Sequence, residues 1–314
     1  FPYEQIRLAF LGTEAILSVV QTQFRLISKY YWTRPVSEES GVTILNEDLY
    51  TEGYTLYGDG SHVGATLVDK HGEVVYQWNP TAEDIWPEGA EMGYPRPTHV
   101  DQALCRAPHV FPDGSLLCAM HLQFPHSPYG GGIIKMDRNG KVLWRFLGNG
   151  HHDYDIRQSD QAIIIPTVKL DIDGDPRFPR IKPPSLEDEI VVLSADGEVL
   201  KKVSLFDAIA GTEFGWVVLP PNDAMTLDPT HVNSVHIVTE AEAAKIDGVK
   251  AGQVLLSLRR TSCLLVVDLE TEKVVWAKRG DWHHQHDANF TEDGSLVLFD
   301  NMGPYVGSNI FSSR

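Results

Sequence analysis

Four stretches of this chain repeat one short pattern, and that repeat limits the fold more than any other feature. They are ATLVDKHGEVVYQW (65–78), GIIKMDRNGKVLWRF (132–146), EIVVLSADGEVLKKV (189–203) and CLLVVDLETEKVVWAK (263–278). In each, two runs rich in Val, Ile and Leu flank a turn, which predicts a β-hairpin. Gly72, Gly140 and Gly197 hold equivalent turn positions, where a left-handed backbone costs a glycine little. Between the hairpins lies a second unit: APHVFPDGSLLCAM (107–120), GHHDYDIRQSDQAIIIPT (150–167), PTHVNSVHIV (229–238) with GQVLLSLRR (252–260), and QHDANFTEDGSLVLFDN (285–301). Two strands there and two in each hairpin make four, the content of one propeller blade. The sequence therefore predicts an all-β fold, a β-propeller of five or six blades spanning 41–314. Its last blade looks incomplete, opening only at NIFSSR.

Ahead of this domain, residues 1–40 read as a short helical segment. Ile6, Phe10, Ala15, Ile16, Val19, Val20, Phe24 and Ile27 recur at helix-like intervals. Arg7, Glu14, Arg25 and Lys29 interrupt the run, so it falls short of the ~20 apolar residues a bilayer span needs. The segment is expected to pack on the main domain; the alternatives are a helix that binds a protein partner or the juxtamembrane end of an anchor. The chain begins Phe1-Pro2, which is expected of a processed chain or one with an upstream signal peptide or anchor.

The formal charge is −17, which argues against nucleic acid or anionic lipid as a partner held by bulk attraction. Cys105, Cys118 and Cys263 form no CxxC pair, so a zinc–thiolate site is not expected. A Cys105–Cys118 disulfide is an option if the protein is exported. DIDGDP (171–176) faintly resembles a calcium loop, but the glutamate that would close an EF-hand is missing and an acidic turn is the better reading.

The second unit of the repeat carries the chemistry. Each copy brings a histidine near a strand start, and aligned by repeat the set is His109, His152, His231 and His286. In a propeller such positions point toward a common axis, so distant residues meet without a compact local motif. THVNS sets His231 and Asn233 two apart, on one face of a regular strand. SLRR then brings Arg259 toward the same mouth. Imidazoles, an amide and a guanidinium make an oxyanion pocket suited to phosphate, sulfate or carboxylate. The plain alternative is that the histidines cap strand ends. A catalytic metal is the competing chemistry, disfavoured by the cationic arginine and the lack of a helical HExxH; no metal and no cofactor are expected. His283 and His284 belong to the loop leading to His286 and at most shape the rim.

THVNSV, then LLSLRRTSCLLVVDLETEKVVW, then QHDANFTEDGSLVLFDN, within 229–303, resemble in sequence and order the arylsulfotransferase family of bacterial aryl-sulfate sulfotransferases. The resemblance covers roughly 50–314. It implies a six-bladed propeller that moves a sulfuryl group from a phenolic sulfate donor to a phenol acceptor without the nucleotide sulfate donor. Transfer would be ping-pong through a sulfohistidine. Carried onto this chain, the QHD histidine, His286, is the nucleophile. His231, Asn233 and Arg259 hold sulfuryl oxygens, with Thr230 beside them. His152 of HHD completes the catalytic set, and His109 joins the substrate pocket. Trp216, Tyr305 and Phe214 are candidates to sandwich the aryl group. The resemblance also implies a periplasmic or extracellular, secreted protein, membrane-associated if an anchor precedes it; a homo-oligomer is compatible with it. Met302-Gly303 follows FDN where the family usually has glycine directly. The main alternative is a non-catalytic propeller of the same family that acts as a binding or assembly subunit.

Overall fold

The computed structural model describes residues 41–58, 63–94, 96–97, 99–122, 130–219 and 227–301. The helical segment read at 1–40, Met302-Gly303, Tyr305 and the NIFSSR end lie outside the described residues. The chain divides into two compact units between Asn149 and Gly150, within the span read from sequence as one domain. Among the described residues no helix is long and apolar enough to cross a membrane.

Both units are built from antiparallel meanders. In the first, β1 (Thr55–Gly58), β2 (Ala65–Val68) and β3 (Val74–Trp78) make one sheet. Then β4 (Ala103–Val110), β5 (Leu116–Leu122), β6 (Gly130–Met136) and β7 (Val142–Phe146) make a second. In the second unit, β8 (Asp155–Ile156), β9 (Ile163–Asp171), β10 (Ser185–Leu193) and β11 (Val199–Ser204) form a four-stranded sheet. So do β12 (Val232–Ile237), β13 (Val254–Leu258), β14 (Cys263–Asp268) and β15 (Lys273–Arg279). Finally β16 (His286–Phe290) pairs with β17 (Leu296–Phe299). The four hairpins expected from the repeat are β2–β3, β6–β7, β10–β11 and β14–β15.

The turns share one device. Asp69 Oδ1 accepts from the amides of His71 and Glu73, Asp137 Oδ1 from those of Asn139 and Lys141, and Ser194 Oγ from those of Asp196 and Glu198. Such side-chain turns satisfy backbone donors that the reversing chain leaves open. Gly72, Gly140 and Gly197 are left-handed, at φ 84°, 83° and 84°. The fourth hairpin has no glycine there, and Glu272 takes the same conformation at φ 55°.

Packing explains where strand alternation is lost. One apolar cluster joins Ile164 and Ile190 to Phe206 and Ile209 of helix α2 (Leu205–Ile209; α1 is Ala82–Ile85 in the first unit), and to Val232, Leu256 and Leu265. A second joins Leu255, Leu264 and Val266 to Ala288, Phe290 and Leu298. Sheet β12–β15 is thus covered on both faces, and β13 and β14 read as continuous apolar runs rather than alternating ones. In the first unit, Trp86 is fully buried and donates to Tyr94 Oη, which donates to the Gly131 carbonyl. Cys105 and Cys118 form a disulfide between β4 and β5, with Cα atoms 5.7 Å apart.

Candidate active site

His152, His231 and His286 come together in the second unit. The His152 and His231 rings lie 4.8 Å apart between centroids, nearly perpendicular, and His152 and His286 lie 6.4 Å apart. Three strand ends deliver them. His152 stands in the loop before β8, His231 immediately before β12, and His286 opens β16. The arrangement costs backbone strain: His152, His231, His284 and Asp287 have φ of 60°, 56°, 51° and 50°. Left-handed conformations at residues bearing a Cβ cost of order 1 kcal/mol or more each and persist only where the surroundings enforce them.

The enforcement is a buried polar scaffold. Gln285 is fully buried, and its amide nitrogen reaches Ser257 Oγ (3.1 Å) and the carbonyls of Leu258 (3.0 Å) and Cys263 (3.1 Å). The residue beside the candidate nucleophile is therefore pinned to the β13–β14 turn. Its own carbonyl accepts from Asn233 Nδ2 at 2.7 Å. Ala288 donates to Ser234 Oγ at 3.1 Å, tying β16 to β12. On the opposite side Asp188, buried in β10, accepts from Thr230 Oγ1 and from the Val232 amide. Arg259 and Arg260 continue the ladder, their amides donating to the carbonyls of His231 and Thr230 at 3.1 Å each.

His286 Nδ1 lies 2.9 Å from both the His284 carbonyl and Asn301 Nδ2, and Asn301 Nδ2 also donates to that carbonyl at 2.9 Å. A carbonyl only accepts, so the first contact calls for a proton on Nδ1, whereas the amide contact calls for a lone pair there. His231 Nδ1 is hydrogen-bonded to Asp228 Oδ2. His151 Nδ1 meets His152 Nδ1 at 2.9 Å, and His151 Nε2 faces Asp188 Oδ1 at 3.5 Å.

The electrostatics combine both signs. Burial lowers the Arg259 pKa and the adjacent Arg260 adds to that, while Asp228 opposes it. Burial raises the Asp228 carboxyl, but the His231 hydrogen bond, with the His231, His151 and Arg260 charges, leaves it below the usual range. His284 is pushed down to about 4, first by burial and then by Arg259, Arg260, His231 and His283. Its imidazole is therefore neutral at physiological pH. Asp153 is pushed up to about 6, mainly by burial, with Asp287 and Asp155 adding and the Val235 and Tyr154 amides opposing. Among the described residues no group of three or more His, Cys, Asp or Glu is arranged to hold a metal ion.

Several residues sit otherwise than the sequence suggests. His109 is near the end of β4, not at a strand start, and belongs to the first unit. The register gives the reason. β4 slips between Arg106 and His109, with Ala107 left-handed at φ 44°, as β16 slips between His286 and Asn289 with Asp287 left-handed. The position matching His286 is therefore Arg106, and His109 matches Asn289. Both strands carry the same bulge, so counting back from the DGS turns at 113–115 and 293–295 gives this pairing without a gap. The same-face argument for His231 and Asn233 fails for a related reason: His231 is left-handed and the β12 ladder slips between Val232 and Ser234. Thr230 is fully buried with its hydroxyl on Asp188, and Asn233 is nearly so. Trp216 stacks on Arg279, 5.4 Å from its guanidinium, and Phe214 packs against the core. Asp188, Asp228, His151 and Gln285 carry no site label in sequence. Only Asp228, three residues before His231, and His151 and Gln285, inside HHD and QHD, had a local cue.

The second unit thus presents an imidazole cluster beside two arginines on a strongly acidic, all-β chain. The chain belongs to the arylsulfotransferase family, whose model matches residues 108–310. No curated protein matches the chain. Among solved structures it is similar to a protein of unknown function from Bacteroides caccae at 13% identity, covering 78% of this chain and 64% of that one, TM-score 0.44. It is similar also to the WD40 β-propeller domain of Doa1 at 12%, covering 79% and 58%, TM-score 0.41. Luciferin-regenerating enzyme is 10% identical, covering 76% and 64%, TM-score 0.42. The chain spans less than two thirds of the length of each of these structures.

Proposed function

We propose that this protein transfers a sulfuryl group from an aryl sulfate to a phenol in two steps, with His286 as the nucleophile. The observation that carries the proposal is the meeting of His152, His231 and His286, three separate strand ends, in a chain of the arylsulfotransferase family. In the first step the Nε2 lone pair of His286 attacks sulfur in line. The S–O(aryl) bond breaks, its electron pair leaves on the phenolate oxygen, and a sulfohistidine forms. The step needs the proton on Nδ1, which the His284 carbonyl accepts, with Asn301 Nδ2 then donating to that carbonyl rather than to Nδ1. In the second step the oxygen of the acceptor phenol attacks sulfur, and the S–N pair returns to His286. Arg259, His231 and the second N–H of Asn233 stabilise the sulfuryl oxygens, as preorganised donors do for developing charge. Asp228 orients His231. His152 passes a proton to the departing phenolate and takes one from the incoming phenol.

The meander sheets are proposed to be blades of a propeller, six-bladed as the family resemblance implies. Action outside the cytoplasm, in the periplasm or beyond, is proposed too, supported by the Cys105–Cys118 disulfide, since such bonds persist in oxidising compartments.

Purified protein is to be mixed with a chromogenic aryl sulfate and a phenol. Phenol-dependent release of the chromophore is expected, with parallel double-reciprocal lines and a histidine-bound sulfuryl group detectable by mass spectrometry at His286. Turnover that survives in His286→Ala would remove the nucleophile from this mechanism.

A further inference from the structure

Beneath the three imidazoles lies a buried chain of polar groups that the mechanism above does not use. Asp188 is 1% exposed and His151 is 5% exposed. Asp188 Oδ2 is already engaged by the Thr230 hydroxyl and the Val232 amide. That leaves Oδ1, which faces His151 Nε2 at 3.5 Å; neither atom has a hydrogen-bond partner among the described residues. The other nitrogen of the same ring, Nδ1, meets His152 Nδ1 at 2.9 Å. The His151 backbone is fixed as well, its amide donating to the Pro166 carbonyl at 3.0 Å and its carbonyl accepting from the Asp153 amide at 2.8 Å.

We propose that Asp188 and His151 are positioning residues that fix the tautomer of His152 and so make its Nε2 the proton-exchanging atom of the site. The logic follows from donor and acceptor inventories. A carboxylate offers only acceptors, so the His151 nitrogen facing Asp188 is the protonated one. In the neutral ring Nδ1 then carries a lone pair and must receive a proton from its partner, which places the Nδ1 proton on His152. The remaining nitrogen of His152, Nε2, is therefore the basic one. This couples to the sulfuryl-transfer reading, on which its catalytic consequence rests. His152 enters the first half-reaction protonated on both nitrogens. As the S–O bond breaks, Nε2 gives its proton to the phenolate oxygen; in the second half-reaction Nε2 takes the proton of the acceptor phenol, and the ring returns to its starting state. The same arrangement explains why a histidine pair precedes Asp153 in HHD: the first imidazole is buried support and the second works.

The test has a spectroscopic arm and a kinetic one. Imidazole ¹⁵N spectra recorded as the pH is raised, with His152 assigned by comparison with His152→Gln, are expected to show the neutral form of His152 with a pyrrole-type Nδ1 and a pyridine-type Nε2. Asp188→Asn keeps an oxygen for Thr230 and Val232 but turns an amide toward His151, which must then accept. His151 flips its tautomer, and His152 is expected to flip with it. An Nε2-protonated His152 in the unaltered protein overturns the proposal without need of any variant. So does a tautomer unmoved in a folded Asp188→Asn protein. In the kinetic arm a series of aryl sulfates with leaving phenols of rising pKa is compared. In the single-turnover release of phenolate, which reports the first half-reaction alone, Asp188→Asn and His151→Leu are expected to lose about 100-fold with the most basic leaving groups. They should change little there with a nitrophenyl donor. An equal loss across the series marks a merely structural role and overturns the proposal. Absence of His286-dependent turnover in the unaltered protein instead defeats the sulfuryl-transfer reading, while the spectra still decide the tautomer.

Discussion

The Asp153 carboxylate offers the most quantitative check on the site. The residue is partly exposed as a whole, but its carboxylate accepts from the Val235 amide of β12 at 3.1 Å. Burial first, then the carboxylates of Asp287 and Asp155, push its pKa from 3.8 to about 6. The folded protein therefore holds this proton more tightly than the unfolded chain. Below pH ~3 both states are protonated and nothing is lost. As the pH rises from there through about 6 the unfolded chain gives up the proton first, and folding loses stability; above that the loss is complete. The gap corresponds to about 3 kcal/mol at neutral pH. Asparagine has nearly the same shape, keeps an oxygen for Val235 and carries no charge. Asp153→Asn is thus expected to match the unaltered protein in stability near pH ~3 and to exceed it by about 3 kcal/mol at pH 7. Urea unfolding at half-unit intervals of pH measures this directly. Carboxylates common to both proteins cancel in the difference, so the difference curve isolates one group. A difference independent of pH, or one that shrinks as pH rises, refutes the reasoning.

Two further outcomes test the anion site. Arg259→Lys retains charge but loses the planar fork, and kcat/KM for an aryl sulfate is expected to fall about 100-fold, with Arg259→Ala lower still. Asp228→Asn removes the carboxylate from His231, and a fall of about 100-fold in kcat is expected. Because the Asp228 pKa is lowered, its stabilising contribution is present above its ordinary value and lost on acidification; the unaltered protein should lose stability below pH ~4 more steeply than Asp228→Asn, as followed by thermal melts.

What the sequence determined is what local patterning can carry. Val-, Ile- and Leu-rich runs on either side of turn residues specify hairpins wherever they occur, and all four are present. His152, His231 and His286 were legible because a repeat places like residues at like strand ends. Registers within the strands were not legible. A single bulged residue moves every following side chain to the other face, and nothing in the composition of APHVF or QHDANF announces one. The His109 mismatch has another origin: β4 and β16 carry the same bulge, and counting back from their shared DGS turns pairs Arg106, not His109, with His286. Thr230 lies next to His231 in sequence, yet its hydroxyl turns into the scaffold because Asp188, more than forty residues earlier, offers the acceptor. Asp188 itself, in SLEDEIVVL, reads as one acidic residue among several. Only the tertiary structure decides that this one is buried with two donors on one oxygen and an imidazole facing the other, since desolvation and hydrogen-bond geometry depend on neighbours far away in the chain.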